Sequence, residues 1–193
     1  ESDTRYQTKE TVLKIIPLEC PLVVSKFSAH STLGPYLLEE INKQQHVPIS
    51  DASALINRSD WDLPKNIHRE YIKILFPYLS QHMENIKERL GYTRLNILNI
   101  WFQQYLSTTN FHDWHTHSGC NMSGVYYLEL KDDSGRPQFQ NIDGSVFTLD
   151  IQEGDIMFFP SHALHRSPKF TGSERKTIIS FDANIEMITS SYQ

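Results

Sequence analysis

Cysteine is almost missing from this chain: there are two in 193 residues, Cys20 and Cys120, with no C-x-x-C. That spacing supplies neither a zinc knuckle nor a redox pair. Free thiols in a reducing cytosol are the expected state, with a Cys20–Cys120 disulfide as the alternative. Long apolar runs are missing as well, so no segment reads as a membrane span. The N-terminal stretch ESDTRYQTKE lacks the charged, apolar, small-residue order of a signal peptide. A cytoplasmic protein without membrane partners is expected. Positive charge is also short, 18 Lys and Arg against 23 Asp and Glu, a net of -5. Such a balance argues against a general nucleic-acid binder, whose affinity rests on a basic surface, though a local basic groove remains compatible with it. Neither an internal repeat nor a low-complexity segment is present.

What is present reads as a globular chain, 39% hydrophobic and 21% charged, of a size suited to one domain over residues 1–193. Residues 1–91 are expected to hold N-terminal strands and supporting helices, and 92–185 a β-rich core. TVLKIIPLECPLVVSKF (11–27) reads as two short strands broken by Pro17 and Pro21. A helix is expected over roughly 32–45, capped by Ser31-Thr32. Residues 46–65 show no sustained period and read as a long loop, of the kind that often carries function. Within it Trp61 is expected chiefly as an anchor and alternatively as a lid over a site. The clearest helix spans about 66–90, with Ile67, Tyr71, Ile74, Leu75, Tyr78, Leu79, Met83, Ile86 and Leu90 on one stripe. Pro77 should kink or split it, and Gly91 should end it.

From residue 92 the texture becomes β. TRLNILNIWFQQYLST alternates, with Leu95, Ile97, Asn99, Trp101, Gln103 and Tyr105 on one face. Five further strands are expected at 122–131, 137–140, 145–151, 154–160 and 176–185, separated by Gly, Asp, Ser and Pro clusters. Short strands at this spacing suggest a sandwich or jelly roll, with helix 66–90 covering one sheet.

Histidine is the unusual residue, nine in all, and five of them fall between His112 and His165. FHDWHTH (111–117) holds three histidines and an aspartate, and GDIMFFPSHALHRSPKFTGSER (154–175) adds two histidines and then an arginine. In a strand, residues i and i+2 share a face, so His115 and His117 can converge on one ion. His165 follows a strand and a turn, and a jelly roll gathers such strand ends at one mouth. Three imidazoles suit a first-row transition metal and leave positions open for chemistry. Asp113 is the alternative carboxylate ligand, or a partner that orients a histidine ring. His112 and His162 are expected to stay off the metal, at the mouth.

An H-x-[DEH] pair, a distal histidine and an arginine ten residues beyond it resemble the iron(II)- and 2-oxoglutarate-dependent oxygenases. WHTHSGCNMSGVYYLEL is similar to the H-x-H-P-x-S-x-x-S-G-V-Y-Y-L stretch of a 2OG-Fe(II) oxygenase family known largely from phages and bacteria. Ser118 and Cys120 depart from its proline and first serine. GDIMFFPSHALHRSPKFTGSERKTIISFDANI is similar to that family's second block, which runs from G-x-L-x-x-F-P-S to S-F-N. The likeness covers about residues 92–185, with a looser one at KIIPLECPLVVSKF.

The resemblance implies a mainly β fold with α, a double-stranded β-helix (jelly roll) with supporting N-terminal helices. It implies iron(II), 2-oxoglutarate as co-substrate and O2, and hydroxylation of a C–H bond in a peptide or small molecule, with succinate and CO2 released. His115 and His165 become iron ligands, and His117 takes a position where most relatives carry a carboxylate. Arg175 would pair with the distal carboxylate of 2-oxoglutarate, with Thr177 and Tyr105 assisting. Lys176 competes with Arg175 if the anchor is counted back from Phe181. Two other readings stand beside this one: a cupin-type three-histidine dioxygenase that does not use 2-oxoglutarate, and a non-catalytic jelly-roll module.

Overall fold

In the computed structural model, residues 20–106 and 109–187 are described. Two helices, α1 (His30–Lys43) and α2 (Glu70–Arg89), lie among eleven strands. The strands are β1 (Val23–Lys26), β2 (Val47–Ser50), β3 (Ala54–Ser59), β4 (Arg94–Tyr105), β5 (Phe111–His115), β6 (Met122–Glu129), β7 (Gln138–Gln140), β8 (Val146–Thr148), β9 (Asp155–Pro160), β10 (His165–Ser167) and β11 (Lys176–Glu186). They form one antiparallel sheet in the order β1-β9-β6-β11-β4-β3-β5-β10-β7-β8, with β2 added beside β3. The sheet curls on itself so that β3 joins a long wall (β1, β9, β6, β11, β4) to a short one (β5, β10, β7, β8). This is the double-stranded β-helix expected above.

Strand alternation sorts the core into two layers. Tyr126 and Leu128 of β6, Ile156 and Phe158 of β9, and Ile179 and Phe181 of β11 point outward against α1 and α2. Their neighbours Val125, Tyr127, Met157, Phe159 and Ile178 point into the curl. Period-two alternation thus commits each strand to both layers. α2 contributes Tyr71, Leu75, Leu79, Met83 and Ile86 to the outer layer, each side chain contributing about 1.5–3 kcal/mol of apolar burial. Gly124 makes the packing between β6 and β11 possible, since a Cβ there would lie 2.0 Å from the Phe181 ring.

Several local expectations are corrected. α1 starts at His30 behind Ala29, which provides no side-chain cap, rather than behind Ser31-Thr32. α2 starts at Glu70, Tyr78 is exposed rather than part of its stripe, and Pro77 does not split it. Pro77 lies on the exposed side, where water can satisfy the carbonyl it leaves unbonded. Residues 46–65 hold a hairpin rather than a plain loop. The Asp51 carboxylate accepts from the Ser53 and Ala54 amides at 2.7 and 2.9 Å and closes the turn between β2 and β3. Four-residue strands are too short to show a period, and Pro48 is tolerated because β2 is an edge strand. Of the strands expected in 11–27, β1 is present, and the first lies outside the described residues. Cys20 and Cys120 are free thiols. No helix among the described residues is long and apolar enough to cross a membrane.

Candidate metal centre and its two cavities

β5 and β10 pair antiparallel with His115 opposite His165. His117 follows β5, held where its backbone N–H donates to the Ser161 carbonyl at 2.9 Å. The three side chains offer ligand atoms all within 4.8 Å of one another. Each ring is fixed from behind through Nδ1. His115 meets the Asp113 carbonyl at 2.7 Å, His165 the Ala163 carbonyl at 2.9 Å, and His117 the Asp182 carboxylate at 2.9 Å. Carbonyl and carboxylate oxygens can only accept, so each Nδ1 carries a proton and Nε2 is the ring atom left to face a metal.

Burial, reinforced by the neighbouring imidazoles, pushes His165 down to about 3. Burial does the same to His115, down to about 4, against a smaller opposing effect of its bond to the Asp113 carbonyl. Both rings are therefore neutral near pH 7, the state a metal requires. Asp182 is buried. Burial alone would raise its carboxyl, but hydrogen bonds from His117 and Ser123 outweigh that and hold it below its ordinary value.

The triad stands between two spaces. On one side lies an open cleft of about 360 Å³, bounded by Trp61, Trp101, Asp51, Asp62, His112 and the rims of His115 and His117. On the other, inside the curl, lies a pocket of about 40 Å³ reached by His115, His117 and His165 and ending at Tyr105, Ser167 and Lys176. Lys176 is fully buried, donates to the Ser167 hydroxyl at 2.7 Å, and holds its ammonium 4.5 Å from the Tyr105 ring centroid. Burial pushes it down to about 7. Gln103 borders both spaces; its carboxamide oxygen accepts from the Tyr105 hydroxyl at 3.2 Å, and its amide nitrogen has no partner among the described residues.

Of the residues singled out in the sequence, His115, His117, His165 and Tyr105 are brought together here. Arg175 and Thr177 are not. Arg175 is partly exposed and pairs through Nε and Nη2 with both Glu129 oxygens, at 2.7 and 2.8 Å. Thr177 donates to the same carboxylate and accepts from Gln104. Strand parity explains this. Lys176, Ile178, Ser180 and Asp182 alternate onto the inner face of β11, whereas Thr177 shares the opposite parity with Ile179 and Phe181. The Asp113 carboxylate is exposed and accepts from the Trp114 amide at 2.8 Å, away from the cluster. His112 stacks on His115 with ring centroids 3.7 Å apart, and His162 lines a separate cleft with Cys20 and Cys120. Asp182 and Gln103 also line this site and were not singled out in the sequence. The signal was legible, since SFD stands where the resembling family reads S-F-N, and i, i+2 counting joins Asp182 to Lys176.

No curated protein matches the chain by sequence. Residues 99–182 match the family described as "Putative 2OG-Fe(II) oxygenase". Among solved structures, the chain is similar to a prolyl hydroxylase from Trichoplax adhaerens in complex with a hypoxia-inducible-factor oxygen-degradation-domain peptide (14% identity, 84% of this chain and 82% of that one, TM-score 0.64). It is similar to a viral collagen prolyl hydroxylase from Paramecium Bursaria Chlorella virus-1 in its 2-oxoglutarate complex (14%, 84% and 94%, TM-score 0.55). It is also similar to an oxidoreductase of the 2OG-Fe(II) oxygenase family from Burkholderia pseudomallei (11%, 84% and 84%, TM-score 0.65). At these identities the structural likenesses establish the fold, while the matched segment carries His115, His117, His165 and Asp182. Residues 99–182 thus match a 2OG-Fe(II) oxygenase family, and the histidine triad within them fits an enzyme that uses iron(II), 2-oxoglutarate and O2.

Proposed function

We propose that the enzyme hydroxylates a C–H bond of a peptide residue, with His115, His117 and His165 holding iron through Nε2. The observation that carries this reading is the position of the triad, between a narrow inner pocket ending at Lys176 and a wider cleft. The donor set fits the metal: three imidazoles, each oriented by an oxygen behind it, suit a divalent first-row ion. The carboxylate that most relatives supply as a ligand is here one bond further out, as Asp182 behind His117. When bound, the iron supplies activation of O2.

In this reading Lys176, rather than Arg175, receives the distal carboxylate of 2-oxoglutarate, with the Tyr105 and Ser167 hydroxyls beside it. A buried ammonium next to a dianion forms a charge-assisted hydrogen bond in a low-dielectric setting. The pocket's present volume of about 40 Å³ holds only a few waters. The keto acid therefore displaces them and shifts the side chains lining the pocket; the Lys176 stem has the most freedom to yield. Gln103, with its free amide nitrogen between pocket and cleft, is suited to orient a carbonyl oxygen at that boundary.

The reaction balances as R–H, O2 and 2-oxoglutarate giving R–OH, succinate and CO2. The keto acid and the C–H bond supply two electrons each to reduce O2. The test is O2 consumption and succinate formation with iron(II) and 2-oxoglutarate. We expect both in the wild type and neither in His165→Ala; equal turnover by that variant would overturn the ligand assignment.

A further inference from the structure

We infer that the substrate is an extended polypeptide segment that adds as a strand along the free edge of β4, with an apolar side chain seated between Phe76 and Leu98. This rests on the oxygenase reading and specifies what that site acts on.

Three observations lead to it. The metal-side cleft adjoins a second groove of about 480 Å³ that shares Trp61 and Trp101, whose rings lie 4.4 Å apart. That groove is walled by Arg69 just before α2, by Ile72 and Phe76 of α2, and by consecutive β4 residues from Ile97 to Trp101. Its apolar side chains are left in solvent: Trp61 is 48% exposed, Phe76 45% and Leu98 44%. Three large apolar groups along one groove mark an interaction surface rather than scattered exposure.

The second observation concerns the backbone. β3 pairs with β4 only at Arg58↔Gln104 and Ser59↔Gln103. One step further, the Phe102 amide donates to Asp60 Oδ1 at 2.8 Å, and the Phe102 carbonyl accepts from the Ser59 hydroxyl at 3.0 Å. Beyond that point no strand among the described residues pairs with this side of β4. Ile100, two residues before Phe102, directs its N–H and C=O the same way. A polypeptide can satisfy such an edge by strand addition, with alternate side chains read by pockets. A small molecule cannot use its length, and a phosphodiester chain would meet Asp51, Asp62 and Asp182 at the metal end.

The third is rigidity. Asp60 is buried and held by Arg69 Nε at 2.8 Å and by the Tyr71 hydroxyl at 2.7 Å. The Trp61 amide is held by the Ser59 hydroxyl at 3.1 Å. The saddle between the two clefts is thus fixed in advance, which lowers the ordering cost of binding.

The test uses a pooled library of random dodecapeptides incubated with the full chain, iron(II), 2-oxoglutarate and O2, with mass-spectrometric sequencing of peptides that gain one oxygen. Gln103 and Leu98 are five residues apart, so an apolar residue is expected about four to six positions from the modified one, given a rise near 3.3 Å per residue. With the best peptide, Leu98→Arg should raise KM about tenfold or more, the loss of one buried apolar anchor. kcat should stay within about twofold, and peptide-independent succinate release should not change. The Ile100 amide should exchange rapidly in the free enzyme and slowly with peptide bound. Hydroxylated peptides with no fixed apolar offset, an unaltered KM in Leu98→Arg, or an Ile100 amide already protected without peptide would each overturn the inference, the last by showing the edge occupied by the chain itself. Stimulation by single-stranded oligonucleotides and not by peptides would overturn it as well. Failure of the parent reading looks different: the wild type would release no succinate under any of these conditions.

Discussion

His117 donates through Nδ1 to the carboxylate of Asp182 at 2.9 Å, across 65 residues of sequence, and Asp182 accepts in addition from the Ser123 hydroxyl at 3.1 Å. A negative group is thus retained at the site without contacting the metal position directly. It fixes the tautomer of His117 and makes its Nε2 a stronger donor. Asp182→Asn keeps the size and loses the charge, so iron affinity should fall about 10–100-fold. Competition against a chromogenic chelator measures this, with far-UV circular dichroism confirming an unchanged fold. Undiminished affinity would show that the carboxylate serves packing only.

Lys176 and Arg175 are adjacent and point to opposite faces of the sheet, so one substitution at each separates the two assignments for the keto acid. Removing a charge-assisted bond to a carboxylate costs about 1.5–3 kcal/mol, about 10–150-fold in affinity. Lys176→Met should weaken 2-oxoglutarate by at least that factor while retaining iron. Arg175→Met should leave 2-oxoglutarate affinity within about threefold and reduce stability instead, because Glu129 loses its bidentate partner. Calorimetry on both variants decides the matter, and the reverse pattern would return the role to Arg175.

The pH dependence of co-substrate binding follows from Lys176, which burial pushes down to about 7. Its charged form attracts the carboxylate, so above that pH binding must first take up a proton. The dissociation constant should rise with pH above about 7, by up to tenfold per unit, and level off below it. Titration of the anaerobic iron-loaded enzyme between about pH 6 and 9 measures this. A flat profile would show that another group holds the carboxylate.

Gly124 is where β6 and β11 come closest, and an added Cβ would enter the Phe181 ring at 2.0 Å. Gly124→Ala should therefore destabilise the fold by about 1–3 kcal/mol, as overpacking does. Phe181→Leu in the same chain should recover part of the loss. Denaturant midpoints read both, and additive losses would show that the two residues do not share the contact.

Much of this architecture was legible before any coordinates, for a physical reason. Long strands such as β4 and β11 carry enough alternation to reveal their faces, and α2 carries enough turns to reveal its stripe. The hairpin β2–β3 did not show, because four to six residues give too few periods, and the Asp51 turn that sets it is a local hydrogen-bond pattern. The metal triad was legible because i, i+2 spacing and a distal histidine are local signals. Counting ten positions from His165 reaches Arg175, which pairs with Glu129; the count ignores parity, and parity decides which side of the sheet a residue faces. Asp182 escaped because its partner is 65 residues away, a contact only the closed curl creates.

The most direct measurement is the visible absorption of the protein titrated with iron(II) and then 2-oxoglutarate under nitrogen, where a keto acid chelating iron gives a weak metal-to-ligand charge-transfer band. The wild type and Arg175→Met should develop the band at one equivalent of iron, and His165→Ala should not. A wild type with no band, or an undiminished band in His165→Ala, would contradict the assignment of His115, His117 and His165 as the centre that holds iron and co-substrate together.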